Sequence, residues 1–123
     1  MKKSQIKLLD TLWSKKVKER ADHKCEYCLL EGNVWLNSAH IVGRSYRTLR
    51  WDLDNGMCLC FCCHRAYDQH LPLAEQIRKV VIGEARLKRL LKKKQIIGKY
   101  QDFEKIKKTL EAKLLKTEND QDF

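Results

Sequence analysis

Between Ser38 and His70 the chain reads SAHIVGRSYRTLRWDLDNGMCLCFCCHRAYDQH, and this stretch decides the fold. Its opening, Ala39-His40-Ile41-Val42, continues or follows a short strand expected at Val34-Trp35-Leu36. Gly32-Asn33 and Asp54-Asn55-Gly56 are turn signals. A second short strand is expected over Met57–Leu59. A helix should begin near Cys62 or Cys63 and run to about His70, just before Pro72.

Cysteine spacing adds a constraint. Cys25-Glu26-Tyr27-Cys28 is one C-x-x-C knuckle, and Cys60-Phe61-Cys62-Cys63 holds another. A tight knuckle lets two thiolates reach one ion while backbone N–H groups turn toward the sulfurs, so the two pairs can close a tetrahedral structural zinc site on Cys25, Cys28, Cys60 and Cys63. Such an ion supplies folding free energy that a small core lacks. The remaining cysteines, Cys58 and Cys62, are read as buried free thiols, with Cys58 on the side of its strand opposite Cys60.

Outside this region the chain turns helical. Ile6, Leu9, Leu12, Trp13 and Val17 form one stripe of an expected helix over residues 4–22, with Ser4 as its N-cap. Pro72 suits the first turn of a further helix with Ile77, Val80 and Val81 on its apolar stripe. Gly83 is expected to end it, and a second helix covers Glu84–Lys94. After a break at Gly98, Phe103, Ile106, Leu110 and Leu114 mark a third. The tail TENDQDF is polar. Residues 1–72 thus read as an N-terminal helix plus zinc-stapled core, and 73–123 as a basic helical extension of the same domain.

The 123 residues carry 26 lysines and arginines against 16 acidic residues, a formal charge of +10. That balance fits a polyanionic partner, nucleic acid first, or a lysine-rich soluble surface. Lys92-Lys93-Lys94 and Lys105-Lys107-Lys108 read as phosphate-tracking helix faces, as solvated faces, or as part of a partner-binding helix. No stretch approaches the roughly 18 apolar residues of a membrane span. Lys7 and Asp10 interrupt the opening MKKSQIKLLDTLW, so no secretory signal is read and a cytoplasmic location is expected. Six cysteines there favour metal ligation over disulfides.

Together, His40, Asn55 and Leu59-Cys60-Phe61-Cys62-Cys63-His64, with the Cys25/Cys28 knuckle upstream, resemble the core of HNH nucleases. This is the ββα-metal or His-Me finger superfamily, in its zinc-containing phage and prophage branch. The resemblance covers roughly residues 20–72. It implies an α+β fold, a ββα-metal core with a Cys₄ zinc knuckle pair, flanked by N- and C-terminal helices.

It also implies an endonuclease that hydrolyses duplex or branched DNA with one divalent cation, magnesium, manganese or similar, leaving 5′-phosphates. His40 would be the general base, since imidazole titrates near working pH. The Asn55 side-chain carbonyl would fix the imidazole tautomer. His64 would bind the cation. Where many relatives carry Asp or a second His before the catalytic histidine, this chain has Ala39. Asp68, one turn beyond His64 on the same helix face, is the second-ligand candidate, ahead of His70. Arg44 could clamp the scissile phosphate, with Arg47 and Arg50 extending the basic loop. Trp51-Asp52-Leu53 would anchor that loop, and His23 reads as structural or exposed. A zinc ribbon that binds nucleic acid without cutting, or a phage accessory factor, needs none of His40, Asn55 and His64; those residues separate the readings.

Overall fold

A computed structural model describes residues 1–29, 35–95 and 102–112. The expected features at Gly32-Asn33, Val34, Gly98, Leu114 and the tail lie outside the described residues. In chain order the elements are α1 (Lys3–Arg20), β1 (Leu36–His40), α2 (Arg47–Arg50), a 3₁₀ turn (Leu53–Asn55), β2 (Gly56–Cys60), α3 (Phe61–Gln69), α4 (Leu71–Val81), α5 (Gly83–Lys94) and α6 (Phe103–Glu111). No helix among the described residues is long and apolar enough to cross a membrane.

β1 and β2 form a two-stranded antiparallel sheet, with Leu36 opposite Cys60, Ser38 opposite Cys58 and His40 opposite Gly56. A two-stranded sheet alone is marginal in water, and here helices cover both faces. On one face Ala39, Met57 and Leu59 pack with Ile77 of α4 and with Ile82. On the other, Cys58 packs with Leu9, Trp13 and Val17 of α1 and Leu110 of α6. The period-two alternation of the strands assigns these partners. Cys58 and Cys60 would share a face under that alternation. Cys60, however, is the residue at which the chain leaves the strand to cap α3, so it joins the Cys25 side while Cys58 stays against α1.

Several expectations shift. α1 begins at Lys3 rather than after Ser4, and the Lys2 N–H donates to Gln5 Oε1 at 2.9 Å. α3 starts at Phe61, earlier than expected, because the Cys60 thiol accepts from the Cys63 N–H and caps the helix. Val80 is exposed, and α4 buries Ala74 and Ile77 instead. Cys62 is exposed on the first turn of α3 and is not a buried thiol. Gly83 sits at the α4–α5 break with φ of 75°, a conformation glycine takes at little cost.

The close approach of α1 to the hairpin has a sharper requirement. A Cβ on Gly56 would lie 2.5 Å from Val17 Cγ2 and 2.8 Å from Trp13 Cζ2. Gly56→Ala is therefore expected to destabilise the fold by about 1–3 kcal/mol, through overpacking against two buried side chains. Thermal melting checks this; an unchanged melting temperature would contradict the packing.

Two arginines brace the same turn from opposite sides. Arg20 donates to the carbonyls of Leu53 and Gly56, and Arg86 donates to those of Asp54 and Gly56. Burial and the Arg20 charge hold the Arg86 guanidinium below its usual value, with Asp54 and Glu26 opposing. Arg86 thus serves the fold, and Lys93 pairs with Asp52 at 2.8 Å. Lys94 lies over the Tyr46 ring, 4.7 Å from its centroid, and Lys88 and Lys92 are exposed.

Candidate active site and metal centre

The sulfurs of Cys25, Cys28, Cys60 and Cys63 lie within 4.8 Å of one another. The two knuckles bring them together because β2 delivers Cys60 beside the segment that follows α1, where the Glu26 N–H donates to the Cys58 carbonyl at 2.8 Å. Cys28 and Cys60 Sγ are 3.7 Å apart, close to the ~3.8 Å edge of a ZnS₄ tetrahedron with Zn–S bonds of about 2.3 Å. In each knuckle a backbone N–H turns to the first sulfur, Cys28 to Cys25 and Cys63 to Cys60, each at 3.5 Å.

The electrostatics agree. Burial raises the Cys25 thiol, but N–H groups of Cys28, Cys60 and Tyr27 outweigh it and lower it to about 7. Burial, then Cys60 and Cys25, push the Cys63 thiol strongly upward. Four thiolates this close need a cation between them, and the donor set fits zinc. Cys58, outside the cluster, is pushed up to about 11 by burial and by Glu26, as an inert buried thiol should be.

A separate cleft of about 540 Å³ opens beside the hairpin, lined by residues that include Asp10, Trp13, Ser14, His40, Arg44, His64 and Asp68. His40, Arg44, His64 and Asp68 thus meet in one cavity. His40 ends β1. Its Nε2 lies 2.9 Å from the Arg50 carbonyl. A carbonyl only accepts, so the proton resides on Nε2 and Nδ1 keeps a lone pair. The ring is also stacked on Trp13, with centroids 3.9 Å apart and planes inclined by 9°.

Burial lowers the His40 pKa, and the nearby Arg44 and Arg50 charges add to this, against the Arg50 carbonyl and Asp10. The imidazole is therefore neutral, and able to accept a proton, to lower pH than a free histidine.

Across the cleft, α3 presents His64 and Asp68 on adjacent turns, with His64 Nε2 3.5 Å from Asp68 Oδ2. That separation is close to the ~3 Å between neighbouring ligands around an octahedral ion with bonds near 2.1 Å. An imidazole nitrogen and a carboxylate oxygen on one rigid helix can hold a divalent cation. Arg44 lies exposed at the cleft wall.

Three expected roles change. Asn55 does not touch the imidazole: its Oδ1 accepts from the Val42 N–H at 2.7 Å, and its Nδ2 donates to the carbonyls of Val42 and Leu49 at 2.9 and 3.0 Å. Fully buried, it closes the loop whose Arg50 carbonyl holds His40. Arg50 is not a free basic residue of that loop, since its guanidinium forks onto Asp10 at 2.7 and 3.0 Å. His70 caps α4 by accepting from the Leu73 N–H at 3.2 Å, away from the cleft. Trp51 is buried as expected, and His23 is exposed.

Asp10, Trp13 and Ser14 were not singled out in the sequence as site residues. Burial raises the Asp10 carboxyl, but Arg50, Trp51 and Arg44 outweigh it and hold the group below its usual value. It is thus ionised wherever Arg50 needs it. The signal available was modest: Asp10 is the only carboxylate between Lys3 and Lys18, set beside the apolar stripe of α1.

A hairpin feeding a helix, with one histidine at the end of the first strand and another in the first turn of the helix, defines a ββα-metal core within an α+β fold. The HNH endonuclease family model matches residues 20–72. The match covers less than half of the chain. It begins at the last residue of α1, so Asp10, Trp13 and Ser14 lie outside it. No curated protein and no solved structure gives a match.

Proposed function

We propose that the chain is a metal-dependent endonuclease that hydrolyses DNA phosphodiester bonds in this cleft, with a structural zinc on the four cysteines. The observation that carries the reading is the meeting of His40, with Nδ1 free to accept a proton, and the His64–Asp68 pair across one cavity. A divalent ion such as magnesium or manganese, held by His64 and Asp68, supplies Lewis-acid neutralisation of the charge that develops on the phosphate and the leaving oxygen. His40 takes a proton from the attacking water at Nδ1. The Arg50 carbonyl keeps the complementary proton on Nε2, and Trp13 fixes the plane of the ring. Arg44 meets a phosphate oxygen with its guanidinium fork. Residues 73–123 remain part of the same domain in this reading, and lysine-bearing faces of α5 and α6 add salt-sensitive affinity for the nucleic-acid backbone.

Two tests follow from the geometry. Single-turnover cleavage should saturate with added manganese. Asp68→Asn should raise the half-saturating concentration about tenfold or more, by weakening one ligand; an unchanged ion dependence would remove Asp68 from the site. The second test is pH. The base must be neutral, and its pKa lies below the usual 6.5, so the rate should hold as pH falls through 6.5 and drop only below it. Asp10→Asn removes a charge that raises His40, so the acid limb should move further down, with a rate loss of about tenfold from misplacement of the Arg50 carbonyl. An acid limb at or above 6.5 in the wild type would contradict this environment for His40.

One observation favours a second reading, a zinc-stapled binder that does not cut. Ala39 stands where a third ligand would, leaving two protein ligands on one helix.

A further inference from the structure

One aromatic pair is used neither by the core nor by the cleft. Trp35 is 76% exposed and Phe61 49% exposed. Leu36 pairs with Cys60 at the end of the ladder, so Trp35 and Phe61 are the next residues outward on either side. Their rings meet edge to face, with centroids 6.2 Å apart and planes at 82°. An edge-on neighbour steadies the indole while leaving ring face open to solvent. Leaving so much aromatic surface in water is unfavourable unless something covers it.

Position and charge identify the occupant. Phe61, His64 and Asp68 fall at i, i+3 and i+7 on α3, hence on one face of that helix. The pair therefore continues the wall that carries the candidate cation ligands. One helical turn, about 5.4 Å, is comparable with one to two steps of a stacked strand at ~3.4 Å each. Exposed Arg65 and Arg44 flank the same side of a chain with net charge +10, which favours an anionic polymer over an apolar peptide. Nucleic acid combines that charge with flat apolar rings.

We propose that Trp35 and Phe61 form a stacking platform for an unpaired nucleobase beside the scissile phosphate, so that the substrate is DNA with unpaired bases at a junction, flap or gap. In uninterrupted duplex both faces of every base are occupied by neighbours, and stacking on a protein ring first requires unstacking. The location beside the scissile phosphate rests on the nuclease reading of the cleft; the binding measurement does not.

Trp13 and Trp51 are 2% and 6% exposed, so solvent-accessible tryptophan emission comes from Trp35. Zinc-loaded protein is titrated, without added divalent ion, with a duplex containing an unpaired tract and with a fully paired duplex of the same length. Quenching of the exposed emission by the first and little by the second is expected. Trp35→Ala should weaken binding to the gapped DNA about tenfold, within the range of one lost base stack, and change duplex affinity less than about twofold. Trp35→Tyr should retain most of the affinity. Melting temperature and zinc content should be unchanged, because the side chain lies outside the core. Equal wild-type affinity for both DNAs, or unchanged gapped-DNA affinity in Trp35→Ala, overturns the platform. Ion-dependent cleavage of the same gapped DNA is scored separately: its absence with stacking intact overturns the nuclease reading and leaves the platform standing.

Discussion

Replacing His40 with alanine is expected to lower the cleavage rate by about 10²–10⁴-fold, the usual contribution of a positioned general base. DNA affinity should stay within a few-fold, because a general base at this position would meet the attacking water and not the phosphate backbone. Zinc content should be unchanged, since His40 ends β1 whereas the four sulfurs gather where β2 meets α3. The variant does lose the stacked partner of Trp13, so a modest fall in melting temperature is expected. Single-turnover kinetics beside a binding isotherm separate these effects. Wild-type cleavage in the variant would remove His40 from the chemistry.

The largest expected effect on stability belongs to Cys25. It is fully buried and accepts the Cys28 N–H. Zinc binding to such sites contributes roughly 10–16 kcal/mol of apparent free energy in small zinc domains, comparable with or larger than the whole stability of a domain this size, about 5–15 kcal/mol. Cys25→Ser should therefore release zinc and abolish cooperative unfolding. Cys58→Ala should keep the ion and unfold cooperatively at a lower temperature, because Cys58 packs against α1 and not in the sulfur cluster. Metal analysis and circular dichroism of the two variants check this. A folded, zinc-loaded Cys25→Ser protein would contradict the ligand set.

These two residues also mark what a sequence can reveal. The cysteine pairs are local: each knuckle is four residues long, and spacing alone suggests that both sulfurs can meet one ion. His64 and Asp68 are legible for the same reason, since four residues on a helix are one turn. His40 could be singled out by its setting, but not the groups that hold it. The Arg50 carbonyl reaches its ring only because Asn55 closes the loop by bonding Val42 and Leu49. Reading Asn55 as a direct partner of His40 assigned to one side chain what the loop backbone does.

The contribution of α1 was hidden by distance. Asp10 reaches Arg50 across 40 residues and Trp51 across 41. The stripe of α1 announced a buried helix, and Trp13 was read as core. Nothing local distinguishes a tryptophan that only fills space from one that also stacks on the His40 imidazole. The arginines behave likewise. Composition marks the chain as basic, but Arg20, Arg50 and Arg86 are spent on loop carbonyls and Asp10. Their charge remains, but these side chains are held in the fold and are not free to reach out to a phosphate.

The most direct measurement is the conversion of plasmid, supercoiled or carrying a single-stranded gap, by zinc-loaded protein, with magnesium or manganese added and with no ion added. Nicked or linear product that appears only with added ion is the expected result, and it would establish the cleft as a hydrolytic centre. Plasmid that is bound but never cut, whichever ion is supplied, would contradict a catalytic role for His40, His64 and Asp68 and leave a zinc-stapled nucleic-acid binder.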